Sequence, residues 1–233
     1  YLLDMNKKQL LTAAALSLLL IPLSGVSYGQ KTEDVEIQKY LVENGNPAAA
    51  FALGNSYYQG KGIPQNYADA FKWLLFAATS NWEVESERTE AQYNLGVMHS
   101  NGQGVPENNT EAVKWYQLAA NQGNEIAQYN IGIMYADGNG VPQNYAEAVK
   151  WYRLAARQGY ASAQSNIGVM YFNGEGVSQN DIRAYMWWSV SAAQGNEVAR
   201  SNRDRISDKL TRGQLMRGQK MATRCFESDY QDC

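Results

Sequence analysis

The chain has 233 residues, of which 45% are hydrophobic and 18% are charged, a composition ordinary for one or two globular or repeat domains. The formal net charge of −3 argues against a strongly basic face, so nucleic acid is not an expected partner. Twenty glycines, sixteen tyrosines and six tryptophans stand out, and their regular placement explains them.

The first 29 residues have the pattern of a bacterial secretory signal peptide. Residues 1–4 precede Met5, which we take as the true start, and two lysines then lead into an apolar run at residues 10–21. Small residues at positions 22–29 suit a signal peptidase. A retained membrane anchor is the alternative, but the run falls short of the ~20 residues that span a bilayer. We therefore predict an exported protein, periplasmic or secreted, with no stable membrane insertion after cleavage.

One pattern recurs through the middle of the chain: an alanine, three residues, a leucine or isoleucine, and a glycine. It occurs at Ala49/Leu53/Gly54, Ala91/Leu95/Gly96, Ala127/Ile131/Gly132 and Ala163/Ile167/Gly168. The glycines are 42, 36 and 36 residues apart. Four tryptophans have the same intervals: Trp73, Trp115, Trp151 and Trp187. A fixed period of this length predicts a stacked array of helical hairpins.

Each repeat contains signals for two helices, as the third repeat illustrates. A first helix with Ile131 on its apolar face ends at the Gly-x-Gly turn that begins with Gly138, where glycine suits a positive φ. Asn144 then stands where an asparagine side chain caps the second helix. That second helix is expected to bury Trp151 and an Ala-Ala pair, and Gly159 closes it.

These motifs resemble the Sel1-like repeat, a relative of the tetratricopeptide repeat, and the string AQYNLGVMHSNGQGV at 91–105 is close to the typical wording of that family. The resemblance implies an all-α fold, a right-handed α-α superhelix of about four to five helical hairpins. It places repeats at 48–81, 90–123, 126–159 and 162–195. It also implies an N-terminal capping helix within 30–47 and C-terminal capping helices within 197–233.

Six additional residues separate the first repeat from the second. This acidic insertion contains Trp82, Glu83 and Glu85, and an exposed tryptophan beside carboxylates is a candidate partner contact. The alternative is a longer loop that covers the end of a helix.

Both cysteines of the chain, Cys225 and Cys233, lie at its C-terminal end. In an exported protein they would meet an oxidising compartment, so we expect a disulfide that closes a short loop. Two free thiols are the alternative. A zinc site is not expected, because the single histidine, His99, is distant in sequence and two thiolates rarely complete such a site.

The sequence contains no recognisable catalytic motif. His99 occupies the repeat position that holds a tyrosine in the other repeats, so we interpret it as a core aromatic residue rather than a catalytic base. The Gly-x-Gly turns lack the third glycine and the lysine of phosphate-binding loops, and they recur in every repeat. We therefore predict no enzymatic activity, no cofactor and no bound metal.

Stacked helical hairpins curve, and the first helix of each repeat lines the concave side. Alignment with the tetratricopeptide pattern places these residues there: Phe51, Asn55, Tyr58, Tyr93, Val97, Tyr129, Ile133, Ser165, Val169 and Phe172. The predicted groove is aromatic and largely uncharged, which is typical of protein-recognition patches. Some members, Tyr93 and Tyr129 above all, have the alternative role of packing between neighbouring helices.

The resemblance implies a scaffold that binds another protein or peptide through this groove, and we expect a monomer. Two other functions stay open. One is an envelope protein that binds or hydrolyses peptidoglycan or β-lactams, which would require a reactive serine or an acidic pair in the groove. The other is a structural component of an envelope or polysaccharide-export assembly.

Overall fold

The computed structural model describes residues 30–81 and 84–233, and within these ranges it contains eleven α-helices and no strand. The helices are α1 (Gln30–Glu43), α2 (Pro47–Gln59), α3 (Tyr67–Thr79), α4 (Glu85–Asn101), α5 (Asn109–Asn121), α6 (Glu125–Asp137), α7 (Tyr145–Arg157), α8 (Ala161–Asn173), α9 (Asp181–Ala193), α10 (Glu197–Ser207) and α11 (Arg212–Glu227). No helix in the described ranges is long and apolar enough to cross a membrane. The predicted signal peptide at 1–29 lies outside the described residues, as do Trp82 and Glu83.

The described residues form two compact units, one that ends at Asn108 and one that spans Asn109–Cys233. In the first unit, α1 packs against α2, α2 against α3 and α3 against α4. In the second, consecutive helices from α5 to α10 pack against one another, and α11 returns to pack against α9. Within each unit the helices thus bury their apolar faces mainly against neighbours along the chain. The predicted all-α fold of consecutive helical hairpins is confirmed.

The two helices of a hairpin meet where a large side chain lies directly on a glycine. In the third repeat, a Cβ atom placed on Gly132 of α6 would lie 2.5 Å from Cδ1 of Tyr152 on α7. Gly54 has the same relation to Leu74, and Gly168 to Trp188. The space beside each glycine is therefore filled by a side chain of the second helix, and no room remains for another carbon atom.

Three of the four tryptophans that mark the repeat are less buried than the sequence indicated. We expected the second helix to bury them, and Trp187 is buried at 3% exposed, but Trp73, Trp115 and Trp151 remain partly exposed. The buried position is the one that follows each tryptophan: Leu74, Tyr116, Tyr152 and Trp188. One residue rotates the side-chain direction by about 100° around the helix axis. In the first three repeats the tryptophan consequently lies at the edge of the buried stripe, while the residue after it lies within that stripe.

The two glycines of each Gly-x-Gly turn have separate structural roles. Gly138 ends α6 with a φ of 74°, and its N–H donates to the carbonyl oxygen of Met134. Gly140 also has a positive φ, and its Cα faces the backbone of Asn109 at the start of α5, so closely that a side chain would collide with it. The turn therefore closes one helix and contacts the preceding helical segment, which supports an architectural role over phosphate binding.

Asparagine side chains cap both helices of a hairpin. Asn144 Oδ1 accepts a hydrogen bond from the N–H of Glu147 at 3.1 Å, and Asn66 and Asn180 cap their helices in the same way, as predicted. The sequence analysis did not consider the caps of the first helices. These are Asn46, Asn124 and Asn196. Each follows a glycine, and this Gly-Asn pair was the available signal.

Buried glutamines satisfy the carbonyl groups at the end of the preceding second helix. Gln128 Nε2 donates to the carbonyl oxygen of Ala120 at 3.1 Å, and Gln164 Nε2 donates to that of Ala156 at 3.1 Å. Gln92 makes a longer contact of this kind, at 3.4 Å, with Ala78. These side chains are at most 6% exposed, so each bond is made away from solvent. Their role was not predicted from the sequence, although these glutamines recur with the repeat period.

The C-terminal segment is attached to the body of the second unit. Cys225 of α11 forms a disulfide with Cys233, which confirms the predicted pairing. Between them, Gln231 Nε2 donates to the carbonyl oxygen of Arg157 at 3.1 Å. The ring of Tyr230 lies beside Gly159. The last residues thus cover the end of α7.

The contact of glycine with a large side chain predicts the effect of a single methyl group. Gly132→Ala should lower the free energy of unfolding by about 2 kcal/mol, because the added carbon overlaps the Tyr152 ring in a filled core. Urea unfolding followed by circular dichroism measures this. Gly213→Ala on α11 is the control, since nothing lies within 4 Å of its Cβ position, and it should stabilise by less than about 1 kcal/mol. Equal effects of the two substitutions would contradict the proposed packing.

Candidate functional site

In the first compact unit, predicted groove residues lie on the first helices α2 and α4. Phe51, Asn55 and Tyr58 on α2 and Tyr93 and Val97 on α4 are all partly exposed. The two helices are joined by a hydrogen bond of 3.2 Å in which Asn94 Nδ2 donates to Asn55 Oδ1. This surface therefore spans two successive repeats.

Tyr58 makes contacts within the protein that reduce the part of its side chain available to a partner. Its hydroxyl donates to Gln103 Oε1 at 3.1 Å, and its ring lies edge-on to Tyr67 at a centroid distance of 5.5 Å. Burial, with a smaller contribution from Tyr67, raises the pKa of the Tyr58 phenol. The hydroxyl is thus neutral and already hydrogen-bonded, so it is the ring edge that remains available for apolar contact.

In the second unit, Tyr129 of α6 packs among neighbouring helices. Its ring centroid lies 5.8 Å from that of Tyr152 and 5.1 Å from that of Tyr160, and the Asn166 side chain hydrogen-bonds its hydroxyl. Burial, followed by the neighbouring Tyr160, raises the pKa of the Tyr129 phenol. These contacts give Tyr129 the packing role that was its alternative interpretation, while part of the ring stays exposed beside the partly buried Ile133.

Ser165 does not fit the predicted groove. It is 5% exposed, and its carbonyl oxygen accepts a hydrogen bond of 3.1 Å from Nε1 of Trp188. The indole of Trp188 lies over Gly168 and covers this part of α8. Placing Ser165 on an open surface was therefore wrong, because the bulk of the following helix was not visible in the repeat pattern.

Val169 and Phe172 line an open cavity of about 290 Å³ at the end of the first-helix surface. Trp188 and Ile206 complete its apolar wall, and the ring centroids of Phe172 and Trp188 are 5.7 Å apart. The rest of the lining comes from α10 and the residues after it: Asn202, Arg205 and Lys209. Nζ of Lys209 lies 5.9 Å from the Phe172 ring centroid. The cavity thus combines an aromatic floor with a basic rim.

The repeat pattern did not predict this rim, because the groove was expected on the repeats alone and the tail only as a cap. A weak signal existed. Asn202 stands 36 residues after Asn166, which itself stands 36 after Asn130, so the first half of the repeat pattern continues into α10. Arg205 and Lys209 follow on that helix and just after it.

The other candidate residues have ordinary structural positions. Glu85 is exposed in the first turn of α4 and pairs with Arg88 at 3.7 Å. His99 is partly buried, with its ring edge-on to Phe71 at 5.3 Å, as an aromatic core residue would be. Over the described ranges, no cluster of three His, Cys, Asp or Glu residues is arranged to hold a metal ion.

The chain matches the family model of the Sel1 repeat at residues 47–82, 89–124, 126–160 and 161–196, which together cover more than half of it. The chain belongs to the Sel1 repeat family. Sel1-repeat proteins generally act as scaffolds for protein interactions, and the family is typically non-catalytic. A comparison with curated proteins finds no match.

Two solved structures are similar to this Sel1-repeat protein. One is a protective antigen present in uropathogenic Escherichia coli strains that displays an SLR fold. It is 39% identical with a TM-score of 0.64, over 75% of this chain and 35% of that chain. The other is a Sel1 repeat protein from Oxalobacter formigenes, 31% identical with a TM-score of 0.64, over 81% of this chain and 70% of that chain. This chain thus spans about a third of the length of the antigen.

The buried phenol of Tyr152 predicts a loss of stability at high pH. Burial raises its pKa far above the ordinary value, and the hydrogen bond from Asn166 offsets only part of that effect. In the unfolded chain the phenol of Tyr152 ionises near pH 10, whereas in the folded protein the same phenol stays protonated at that pH. Its stabilising contribution is therefore complete below pH 10 and is lost as the pH rises, by about 1.4 kcal/mol per pH unit.

Urea unfolding midpoints at pH 8 and pH 11 measure this loss. Tyr152→Phe should remove part of the decrease between the two values, whereas Tyr135→Phe at a half-buried position should leave the decrease nearly unchanged. An identical decrease in both variants would contradict the role assigned to Tyr152.

Proposed function

We propose that this Sel1-repeat protein is an exported scaffold that binds another protein or peptide through its first-helix surface. The observation that carries the proposal is the cavity at Val169 and Phe172, where predicted groove residues meet the basic residues Arg205 and Lys209. A cavity of about 290 Å³ has room for one large side chain.

The chemistry of this cavity favours a segment with an apolar anchor and a nearby acidic group. An apolar or aromatic side chain would contact Phe172, Trp188 and Ile206, because these residues form the apolar wall. A carboxylate of the same segment would approach the cations of Arg205 and Lys209 at the rim. An amphipathic helix or an extended peptide can present both groups at once.

Three observations support export. Residues 1–29 have the composition of a signal peptide. The disulfide between Cys225 and Cys233 is typical of proteins in oxidising compartments. A similar solved structure is that of a protective antigen of uropathogenic Escherichia coli. The location we propose is therefore the periplasm or the exterior of a bacterial cell.

Site-specific cross-linking tests the surface. A photo-reactive phenylalanine analogue at Val169 should cross-link one defined protein from a bacterial envelope extract, because Val169 lines the proposed cavity. The same analogue at the exposed Met216 of α11 is the control and should give no such product. Equal products from both positions, or sacculus fragments instead of a protein, would contradict the scaffold and favour a wall-directed function.

Charge reversal at the rim tests the recognised chemistry. Lys209→Glu should reduce the Val169 cross-link at least about tenfold, since it replaces attraction by repulsion. Lys220→Glu on the exposed face of α11 makes the same change in net charge and should leave the yield within twofold. Both lysines are exposed, so matching melting temperatures would show that the fold is retained.

A further inference from the structure

A second cavity, of about 250 Å³, lies in the second unit and is lined by residues of α7, α8, α9 and the C-terminal segment. Three arginines line it: Arg153 and Arg157 from α7 and Arg183 from α9. Its walls include the rings of Tyr171 and Trp187. None of these residues belongs to the first-helix surface, so this arginine cavity is a separate feature of the molecule.

The arginine cavity has three cationic side chains and no acidic side chain in its lining, although Arg183 also lines a neighbouring cavity with Asp232. Arg153 Nη2 donates to the Tyr171 hydroxyl at 2.8 Å, and Arg183 Nη1 approaches the same oxygen at 3.4 Å. Among the described residues, none of the three arginines forms an ion pair with an acidic group. Because guanidinium groups stay charged, the cavity favours an incoming anion.

The indole of Trp187 supplies an independent sign of a missing hydrogen-bond acceptor. Trp187 is 3% exposed, and no described residue accepts a hydrogen bond from its Nε1. The adjacent Trp188 differs, since its Nε1 donates to Ser165. A buried donor without an acceptor costs stability. Because Trp187 also lines the arginine cavity, its indole N–H resonance is a sensitive reporter of a ligand bound there.

The C-terminal segment closes the arginine cavity on its outer side. Tyr230 and Cys233 line it, and the disulfide from Cys233 to Cys225 holds this segment against α11. The one carboxylate of the segment seen in an ion pair, Asp232, is bound to Arg224 at 2.9 Å. The tail thus contributes a ring and a disulfide-anchored residue to the wall, while Asp232 pairs with Arg224 in a neighbouring cavity.

We infer that the arginine cavity binds a glutamate or aspartate side chain of the protein partner. A carboxylate accepts two parallel hydrogen bonds from a guanidinium, and the aromatic walls suit the methylene groups that carry it. A free phosphate has the charge but no apolar part to contact Tyr171 and Trp187. The inference rests on the proposed scaffold function, and it adds a second, acid-specific contact at a cavity distinct from the one lined by Val169 and Phe172.

The decisive measurement is the indole N–H resonance of Trp187 in the ¹⁵N-labelled protein, assigned with Trp187→Phe. The probe is the blocked tripeptide acetyl-Leu-Glu-Leu-amide, with acetyl-Leu-Gln-Leu-amide and inorganic phosphate as comparisons. The glutamate peptide should shift the Trp187 resonance at least tenfold more strongly, at equal concentration, than either comparison does. Equal shifts from the glutamine peptide, or stronger ones from phosphate, would overturn the inference.

Arginine variants test the same site. Arg157→Gln and Arg183→Gln should each weaken binding of the glutamate peptide about tenfold, the value of one charge-assisted hydrogen bond. Arg217→Gln, at an exposed position of α11 outside the cavity, should change the affinity less than twofold. An equal loss of peptide affinity in Arg217→Gln would contradict the assignment of the site. Arg157 is exposed, so its substitution should not disturb folding. The Val169 cross-link reports the scaffold function independently, so failure of one proposal is distinguishable from failure of the other.

Discussion

The fold depends on how closely the two helices of a repeat can approach each other. Where Tyr152 lies on Gly132, the absence of a side chain lets the ring contact the backbone of α6 itself. Such a contact fixes both the separation of the helices and their register along the common axis, because the ring fits at one position only. Trp188 and Gly168 repeat the arrangement in the next hairpin with a larger ring. Each hairpin is therefore a closely packed unit in which the positions of the outward-facing side chains are fixed relative to one another.

The two candidate binding features use the outer sides of these hairpins in different ways. The cavity at Phe172 takes its floor from a repeat and its rim from α10, so it exists only where the repeats end. The arginine cavity takes its cations from two second helices and its outer wall from the disulfide-bonded tail. Both are basic, although the chain as a whole has a net charge of −3. Positive charge is thus concentrated locally at both cavities, and the overall charge conceals it.

Sequence periodicity was sufficient to predict the hairpins, because their determinants are local. Gly138 ends a helix and Asn144 starts the next through contacts within a few residues, and both act as expected. The burial of Trp73, Trp115 and Trp151 was placed one residue out of register, whereas that of Trp187 was predicted correctly. The repeat pattern shows which positions recur, but only the opposing glycine determines which of two adjacent aromatic positions faces inward.

The candidate sites were less predictable, because they join segments that are distant in sequence. Gln231 contacts Arg157 across 74 residues, and no local pattern indicates that the tail closes a cavity beside α7. The burial of Ser165 likewise follows from the size of Trp188 on the next helix. The disulfide was predictable from the number and position of the cysteines, whereas the cavity wall that it secures required the packed structure.

The buried glutamines have a consequence for how such a chain can change its length. Gln164 Nε2 donates to the carbonyl oxygen of Ala156 on the preceding helix, and Gln164 Oε1 accepts a hydrogen bond of 2.6 Å from Gln194 Nε2. Gln128 makes the equivalent two bonds with Ala120 and Gln158. Each interface therefore presents the same donor and the same acceptor to the next hairpin. A whole repeat gained or lost by duplication or deletion would meet matching groups on both sides, whereas a partial one would leave a buried amide unsatisfied. Growth of the array is thereby restricted to complete modules.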